Sequence, residues 1–219
     1  NFRHAINSAI DKESVVTVAL NNLGSVCETQ VPNNLPGTSD ANTDTYDLEK
    51  AKAYLEESGV DVSGMSFPII CSDDTKKRAG EVIQANLKEI GIEANIESMD
   101  LATYLSTVAE GNFVAAIGGY GMGDTISYLN GVYHSKSING SNKSRLNNPE
   151  IDAMIDQASA TIDQAQREAL TEQICAKLNE ICTQAPLYQP LTLRAFNADL
   201  QGVKVNPNGD CRVEDMSWK

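Results

Sequence analysis

The residues best placed for recognition chemistry stand in one run, Gly118-Gly119-Tyr120-Gly121-Met122-Gly123-Asp124, directly after the apolar segment Phe113–Ile117. Glycines at the carboxyl end of a strand let backbone approach a ligand closely. Tyr120 offers a flat apolar face with a polar tip, suited to a wet cleft. Two readings stand for it, a cleft residue or core at a sharp turn. The glycines read G-x-G-x-G without the full dinucleotide fingerprint, and no βαβ unit with its acidic residue follows, so no nucleotide cofactor is expected. A second candidate pair, Ser72 and Asp73, follows another apolar run, Ser66–Cys71. In open α/β sheets ligands bind at the carboxyl ends of the strands. The expected ligand-binding set is therefore Tyr120, Gly121, Met122 and Asp124, with Ser72 and Asp73 beside them.

Catalytic constellations are not found. The chain has no G-x-S-x-G elbow, no P-loop and no H-E-x-x-H. Its two histidines, His4 and His134, have no second ligand at i+3 or i+4, so neither a metal nor a cofactor is expected. Asp73-Asp74 reads as helix capping and dipole compensation. Asp152/Asp156 and Glu168/Glu172 read as solvated helix faces. The five cysteines, Cys27, Cys71, Cys175, Cys182 and Cys211, are odd in number and lack C-x-x-C spacing. Cys175 and Cys182 lie on one predicted helix, about 10 Å apart along its axis, too far for a disulfide. Buried free thiols are expected. The sequons Asn139-Gly140-Ser141 and Asn142-Lys143-Ser144 read as chance in a polar loop.

The elements that must position these groups follow from periodicity and caps. Apolar residues at Ala5, Ile6, Ala9 and Ile10 predict a helix, and Asp11-Lys12-Glu13 opens another turn. A polar, Pro- and Gly-rich stretch, 17–45, reads as a long loop. Asp47 caps a helix to Ser58, with Gly59 as its stop. A strand at Ser66–Cys71 follows, with Pro68 arguing for an edge. Then come a helix from Asp73 or Asp74 to Ile90, a strand at Glu93–Ser98, a helix capped by Asp100 and a strand at Phe113–Ile117. This β-α-β-α-β order predicts a crossover-built α/β fold with a mixed sheet flanked by helices. Asn148-Pro149 starts a helix, cap then proline, and another runs from about Asp163 to Ile181. Strands are expected at Pro186–Tyr188, Thr192–Phe196 and Val203–Val205.

Composition bounds the partners. In 219 residues, 17 Lys and Arg face 30 Asp and Glu, a formal charge of −13. Such a surface repels phosphate backbones, so nucleic acid is not an expected partner. No apolar run approaches the length of a membrane span.

Four motifs in order resemble the bacterial extracellular solute-binding proteins of family 5, the peptide- and nickel-type receptors of ABC importers. They are Phe2 to Glu13 (F-R-H-A-I-N-S-A-I-D-K-E), Tyr46 to Lys52 (Y-D-L-E-K-A-K), Ile83 to Ile92 (I-Q-A-N-L-K-E-I-G-I) and Asn148 to Asp152 (N-P-E-I-D). Ala185-Pro186-Leu187-Tyr188 follows the last helix as it does in that family. The resemblance implies a periplasmic-binding-protein-like lobe of a two-lobed receptor, with residues 1–185 as the second lobe and 186–219 as a return segment partly belonging to a first lobe. It implies an extracytoplasmic, monomeric, non-enzymatic protein whose partners are a peptide or other small solute and a membrane permease. Tyr120 stands where dipeptide-type relatives carry Trp, Asp124 aligns with the family's later D-P, and 70–74 holds no arginine. The resemblance thus leaves a sugar or a metal chelate open as ligand, and a sensor or enzyme as a different use of the same lobe. The opening Asn1-Phe2-Arg3 reads as helix interior and marks a piece of a longer protein with its signal upstream.

Overall fold

A computed structural model describes residues 1–38, 44–205 and 210–219. Helices α1 (Phe2–Ala9) and α2 (Lys12–Leu20) are separated by Asp11, whose carboxylate accepts from the Ser14 amide. The second helix runs to Leu20, beyond the predicted loop start at residue 17. Its β-branched run Val15-Val16-Thr17-Val18 is a weak helix former, but Val15, Val16 and Ala19 are buried and the helix packs on α4, described below. Tertiary packing overrides propensity here. Strand β1 (Gly24–Val26) follows.

From residue 47 the predicted elements appear in order. Helix α3 (Leu48–Ser58) starts at the Asp47 cap and stops at Gly59, whose φ of 66° suits a residue without Cβ. Strand β2 (Ser66–Cys71), helix α4 (Asp74–Lys88), strand β3 (Glu93–Ser98), helix α5 (Leu101–Glu110) and strand β4 (Ala115–Ala116) build a three-stranded sheet in the order β3-β2-β4. Both pairings are parallel. The α/β class holds, while the mixture of strand directions lies between separate sheets rather than within one. Pro68 sits in the central strand, not an edge. It is tolerated because β4 pairs with β2 only at Ile69 and Ile70, leaving the first half of β2 without that neighbour. The predicted strand Phe113–Ile117 shortens to Ala115–Ala116 for the same reason.

Successive residues of β2 face opposite layers, as strand geometry requires. Ile69 packs in the core under α4 with Ile83, Leu87 and Ile92, while Ile70 packs with Tyr104 and Val108 of α5. Covering both faces is the usual condition for a parallel sheet.

Helices α6 (Thr125–Val132), α7 (Pro149–Ala160) and α8 (Gln164–Ile181) enclose a second core of Leu129, Tyr133, Ile151, Ile155, Ile174 and Leu178. Asn148 caps α7, accepting from the Glu150 and Ile151 amides at 3.0 and 3.4 Å. Val31 and Leu35, inside the predicted loop, are buried in this core. The Tyr133 hydroxyl donates to the Gln30 carbonyl at 2.7 Å, which ties the segment down. Residues 39–43 of that loop lie outside the described residues.

The tail folds back. Strand β5 (Tyr188–Pro190) pairs antiparallel with β1, and β6 (Leu200–Gln201) with β7 (Ser217–Trp218). The strand expected at Thr192–Phe196 pairs with nothing among the described residues, and Val205 makes only an isolated bridge to Cys211. Leu191, Leu193, Val213 and Trp218 are exposed along this tail. Among the described residues, no helix is long and apolar enough to cross a membrane.

Candidate functional site

Three parallel strands end side by side, and the residues that follow them form one rim. The Met99 amide donates to the Cys71 carbonyl, and the Ile117 amide to the Ile70 carbonyl, both at 3.0 Å. These bonds hold the neighbouring chains to β2 up to its last residue. Ser72 and Asp73 therefore emerge between Met99-Asp100 on one side and the Gly118–Gly123 segment on the other. The structure brings the two sequence-predicted groups to the same end of the sheet. The Tyr104 hydroxyl braces this end, donating to the Ile117 carbonyl at 3.1 Å. Burial first, then the Cys71 and Asp73 charges, push the phenol up to about 12, so it remains a donor. A Cβ at position 118 would stand 2.9 Å from that hydroxyl, which accounts for Gly118.

Asp73 and Asp124 each cap a helix. Asp73 accepts from the Lys76 amide at 2.9 Å and pairs with the Lys76 ammonium. Partial burial opposes its ionisation, but the Lys76 contacts outweigh this and the carboxyl titrates below its usual value. Asp124 accepts from the Ser127 amide at 2.8 Å. That bond, the Ser127 hydroxyl and more distantly the Arg167 charge also hold its carboxyl low. Both groups are thus anions at the rim at neutral pH. Because their folded values lie below the unfolded ones, the stability they supply is complete above about pH 4 and is lost as pH falls through the lowered folded values. Acid titration of the Asp73→Asn, Asp124→Asn double variant should show a shallower stability loss below pH 4 than wild type. Equal slopes would mean the caps carry no titrating stability.

Tyr120 is 37% exposed and Met122 44%. The Tyr120 ring meets Tyr128 edge to face at 5.8 Å, and Tyr128 leads inward to Tyr133 at 6.4 Å. Tyr120 is thus seated on one side and open on the other, between the two readings of the sequence. Its seat is Gly131 of α6, where a Cβ would come within 2.8 Å of the Tyr120 ring. Gly131→Ala should push the ring off α6. Near-ultraviolet circular dichroism, which reads the tyrosine array, should lose intensity while the far-ultraviolet signal stays; an unchanged spectrum would mean the ring has another seat. Gly119 and Gly121 differ from Gly131: no atom of the described chain lies within 4 Å of a Cβ at either position, and neither has a positive φ. Nothing internal requires glycine there.

Beside Asp124 lies a cavity of about 330 Å³ lined by Pro36, Asp124, Thr125, Arg167, Glu168 and Thr171. Sequence spacing missed it, because Pro36 and α8 reach it from distant parts of the chain. Asp156 is exposed, as expected of a solvated face, while Asp152 is partly buried. Asp152 accepts from the Ser135 amide at 2.9 Å, and the two carboxylates stand 3.3 Å from His134 Nδ1 and Nε2. Cys27, Cys71, Cys175 and Cys182 are buried thiols outside any disulfide among the described residues, while Cys211 is half-buried. Among the described residues, one group could hold a metal ion: His4, Asp44 and Cys182.

The family model described as "Bacterial extracellular solute-binding proteins, family 5 Middle" matches residues 1–140. Heme-binding protein A of Haemophilus influenzae is 27% identical over 215 residues, covering 94% of this chain and 39% of that protein. Oligopeptide-binding protein AppA of Bacillus subtilis is 28% identical over 235 residues, covering 99% and 43%. The chain spans about two fifths of the length of these curated relatives. Its fold is similar to that of HbpA2 of Haemophilus parasuis, with a TM-score of 0.84, 26% identity, and coverage of 100% of this chain and 45% of that one. A dipeptide-binding protein from Pseudoalteromonas, in complex with Met-Leu, gives a TM-score of 0.87 at 20% identity, with the same coverages. With more than half of its residues matched by that model and its folded elements shared with those structures, the chain belongs to the bacterial extracellular solute-binding proteins, family 5.

Proposed function

We propose that the full-length protein is the substrate-binding component of an ABC importer, capturing a peptide or other small solute outside the cytoplasmic membrane without catalysing a reaction. Residues 1–185 are its second lobe, and 186–219 return toward a first lobe, which accounts for the exposed Leu191, Leu193 and Trp218. The protein acts as a monomer that delivers its ligand to a membrane permease. The ligand lies at the rim formed by Ser72, Asp73, Tyr120, Gly121, Met122 and Asp124, and closure of the two lobes around it shifts an open–closed equilibrium.

The observation that carries this reading is the pair Gly119 and Gly121. They flank the half-exposed Tyr120 and have open space where side chains would be. Glycine retained without an internal reason suits close approach of a ligand backbone to the chain. Tyr120 supplies a flat contact of low conformational entropy cost, and the two ionised caps favour a cationic or amino-terminal group on the ligand. Relatives named as oligopeptide- and dipeptide-binding proteins lend support to peptide as the ligand class.

Thermal-shift measurement on the full-length protein tests the reading, with short peptides, amino acids, oligosaccharides and nickel as the panel. A ligand at about 100 times its Kd stabilises by about 2.7 kcal/mol, and peptides are expected to give that shift. Silence from every peptide, with a shift from a sugar or metal chelate, would replace the ligand class. Silence from the whole panel would remove the capture function.

A further inference from the structure

The geometry points to a binding site for a borderline divalent cation of the zinc type formed by His4 of α1, Asp44 ahead of α3 and Cys182 at the end of α8. It rests on no part of the transport reading. One ligand atom from each of the three residues lies within 4.8 Å of the others. No i+3 or i+4 spacing marks it, since the residues come from three distant stretches of chain.

At His4 an acceptor faces an acceptor. His4 Nε2 stands 3.1 Å from the Glu180 carbonyl oxygen, which can only accept, so this nitrogen carries its proton. In the neutral ring Nδ1 then holds a lone pair, yet it faces Asp44 Oδ2 at 2.5 Å. Two lone pairs at that separation need a cation between them, either a second proton or a metal ion. A histidine whose other ring N–H is fixed on a backbone carbonyl is the usual outer-shell arrangement of a metal ligand.

Cys182 caps α8 in the left-handed region, at φ 49° and ψ 55°, where Gly or Asn is the ordinary choice. Its buried sulfur is thereby directed into the cluster. A thiol carries a proton that a metal ligand gives up. A metal ion would take the sulfur as thiolate and release that proton, together with any proton held between His4 and Asp44.

Asn7, beside the sulfur, is 1% exposed. Its Nδ2 lies 4.0 Å from Cys182 Sγ, and its Oδ1 has no hydrogen-bond partner among the described residues. The amide orientation is interchangeable. Reversed, it sets an oxygen 4.0 Å from the sulfur, while His4, Asp44 and Cys182 supply three of the four ligands of a tetrahedral site.

Two neighbouring lysines contact Asp44. Lys50 pairs with Asp44 Oδ1 at 3.2 Å, not Oδ2, and Lys12 donates to the Asp44 backbone carbonyl at 2.8 Å. Arg3 holds the Ile181 and Cys182 carbonyls, each at 2.7 Å, which fixes the backbone of the cysteine. Nitrogen and oxygen donors around zinc stand about 3.3 Å apart. The imidazole and carboxylate would therefore separate by less than about 1 Å on binding.

The test is cobalt titration of the reduced, chelator-treated full-length protein. One equivalent of cobalt should bind with a thiolate-to-metal charge-transfer band and be displaced by zinc. Cys182→Ser should abolish the band and His4→Gln should weaken binding at least tenfold, while Cys211→Ser, at a thiol outside the cluster, leaves both unchanged. Should the variants fail to fold, the wild-type protein still decides. Zinc should protect Cys182 from alkylation, read by mass spectrometry. Absence of the band, a band that survives Cys182→Ser, or unprotected Cys182 would overturn the site and leave a proton alone between His4 and Asp44.

Discussion

Asn142→Ala is expected to destabilise the protein by about 3 kcal/mol or more, a large effect for a residue in a polar loop. Asn142 is 1% exposed. Its Nδ2 donates toward the Leu146, His134 and Tyr133 carbonyls at 2.9, 3.2 and 3.4 Å. Its Oδ1 accepts from the Ser144 hydroxyl at 3.0 Å and the Leu146 amide at 3.2 Å. One side chain thus stands in for secondary structure across 133–146, where the backbone makes few ladders of its own. Alanine removes every one of these bonds, and each buried group left unsatisfied costs about 1–3 kcal/mol. For a chain of this size, 3 kcal/mol corresponds to a fall in Tm of roughly 6–12 °C. Denaturant unfolding of the variant checks it, and a loss below about 1 kcal/mol would mean water replaces the amide without cost. The same burial removes Asn142-Lys143-Ser144 as a glycan acceptor, since the acceptor nitrogen is already committed to three carbonyls.

Tyr120→Ala is expected to leave the fold intact and to lower ligand affinity by tenfold or more in the full-length protein. The ring packs against Tyr128 and Gly131 but belongs to none of the buried cores, so truncation loosens its contact with α6 without opening a core. An aromatic anchor at the centre of a binding surface commonly carries 2 kcal/mol or more of binding, roughly thirtyfold. Calorimetric titration against the peptide identified by thermal shift would read the loss, with the unliganded Tm as the control. Unchanged affinity would remove Tyr120 from the site. Unchanged affinity together with a fallen Tm would make it a packing residue of α6. Gly121→Val provides the complementary case, since the free protein has room for the side chain while a closely bound ligand backbone would not.

The parts of this structure written in local grammar were legible. Asp47 with Gly59, Asp73, Asp100, Asp163 and Asn148-Pro149 each mark a helix end, because a cap acts within a few residues of itself. The co-location of Ser72-Asp73 with Gly118–Asp124 was legible too, because short crossovers bring the carboxyl ends of successive parallel strands to one edge. What escaped depends on pairing over long distances. Val31 and Leu35 look like turn residues, yet they fill a core whose other walls begin at residue 125. Strand β1 finds its partner β5 some 160 residues on, and no periodicity announces a three-residue strand. Asp152 resembles Glu168 in sequence, but His134 and Ser135 reach the first of them from another element, while Glu168 accepts from Gln164 of its own helix. His4, Asp44 and Cys182 are hidden for the same reason.

Hydrogen exchange on the full-length protein, with and without the peptide that shifts its Tm, tests the location of capture most directly. The exposed amides of Gly118–Gly123 and those at Ser72 and Asp73 should gain protection on binding, while the core of α7 and α8 changes little. A peptide that stabilises the protein yet leaves these amides exchanging at their free rates would contradict the site at the carboxyl end of the sheet.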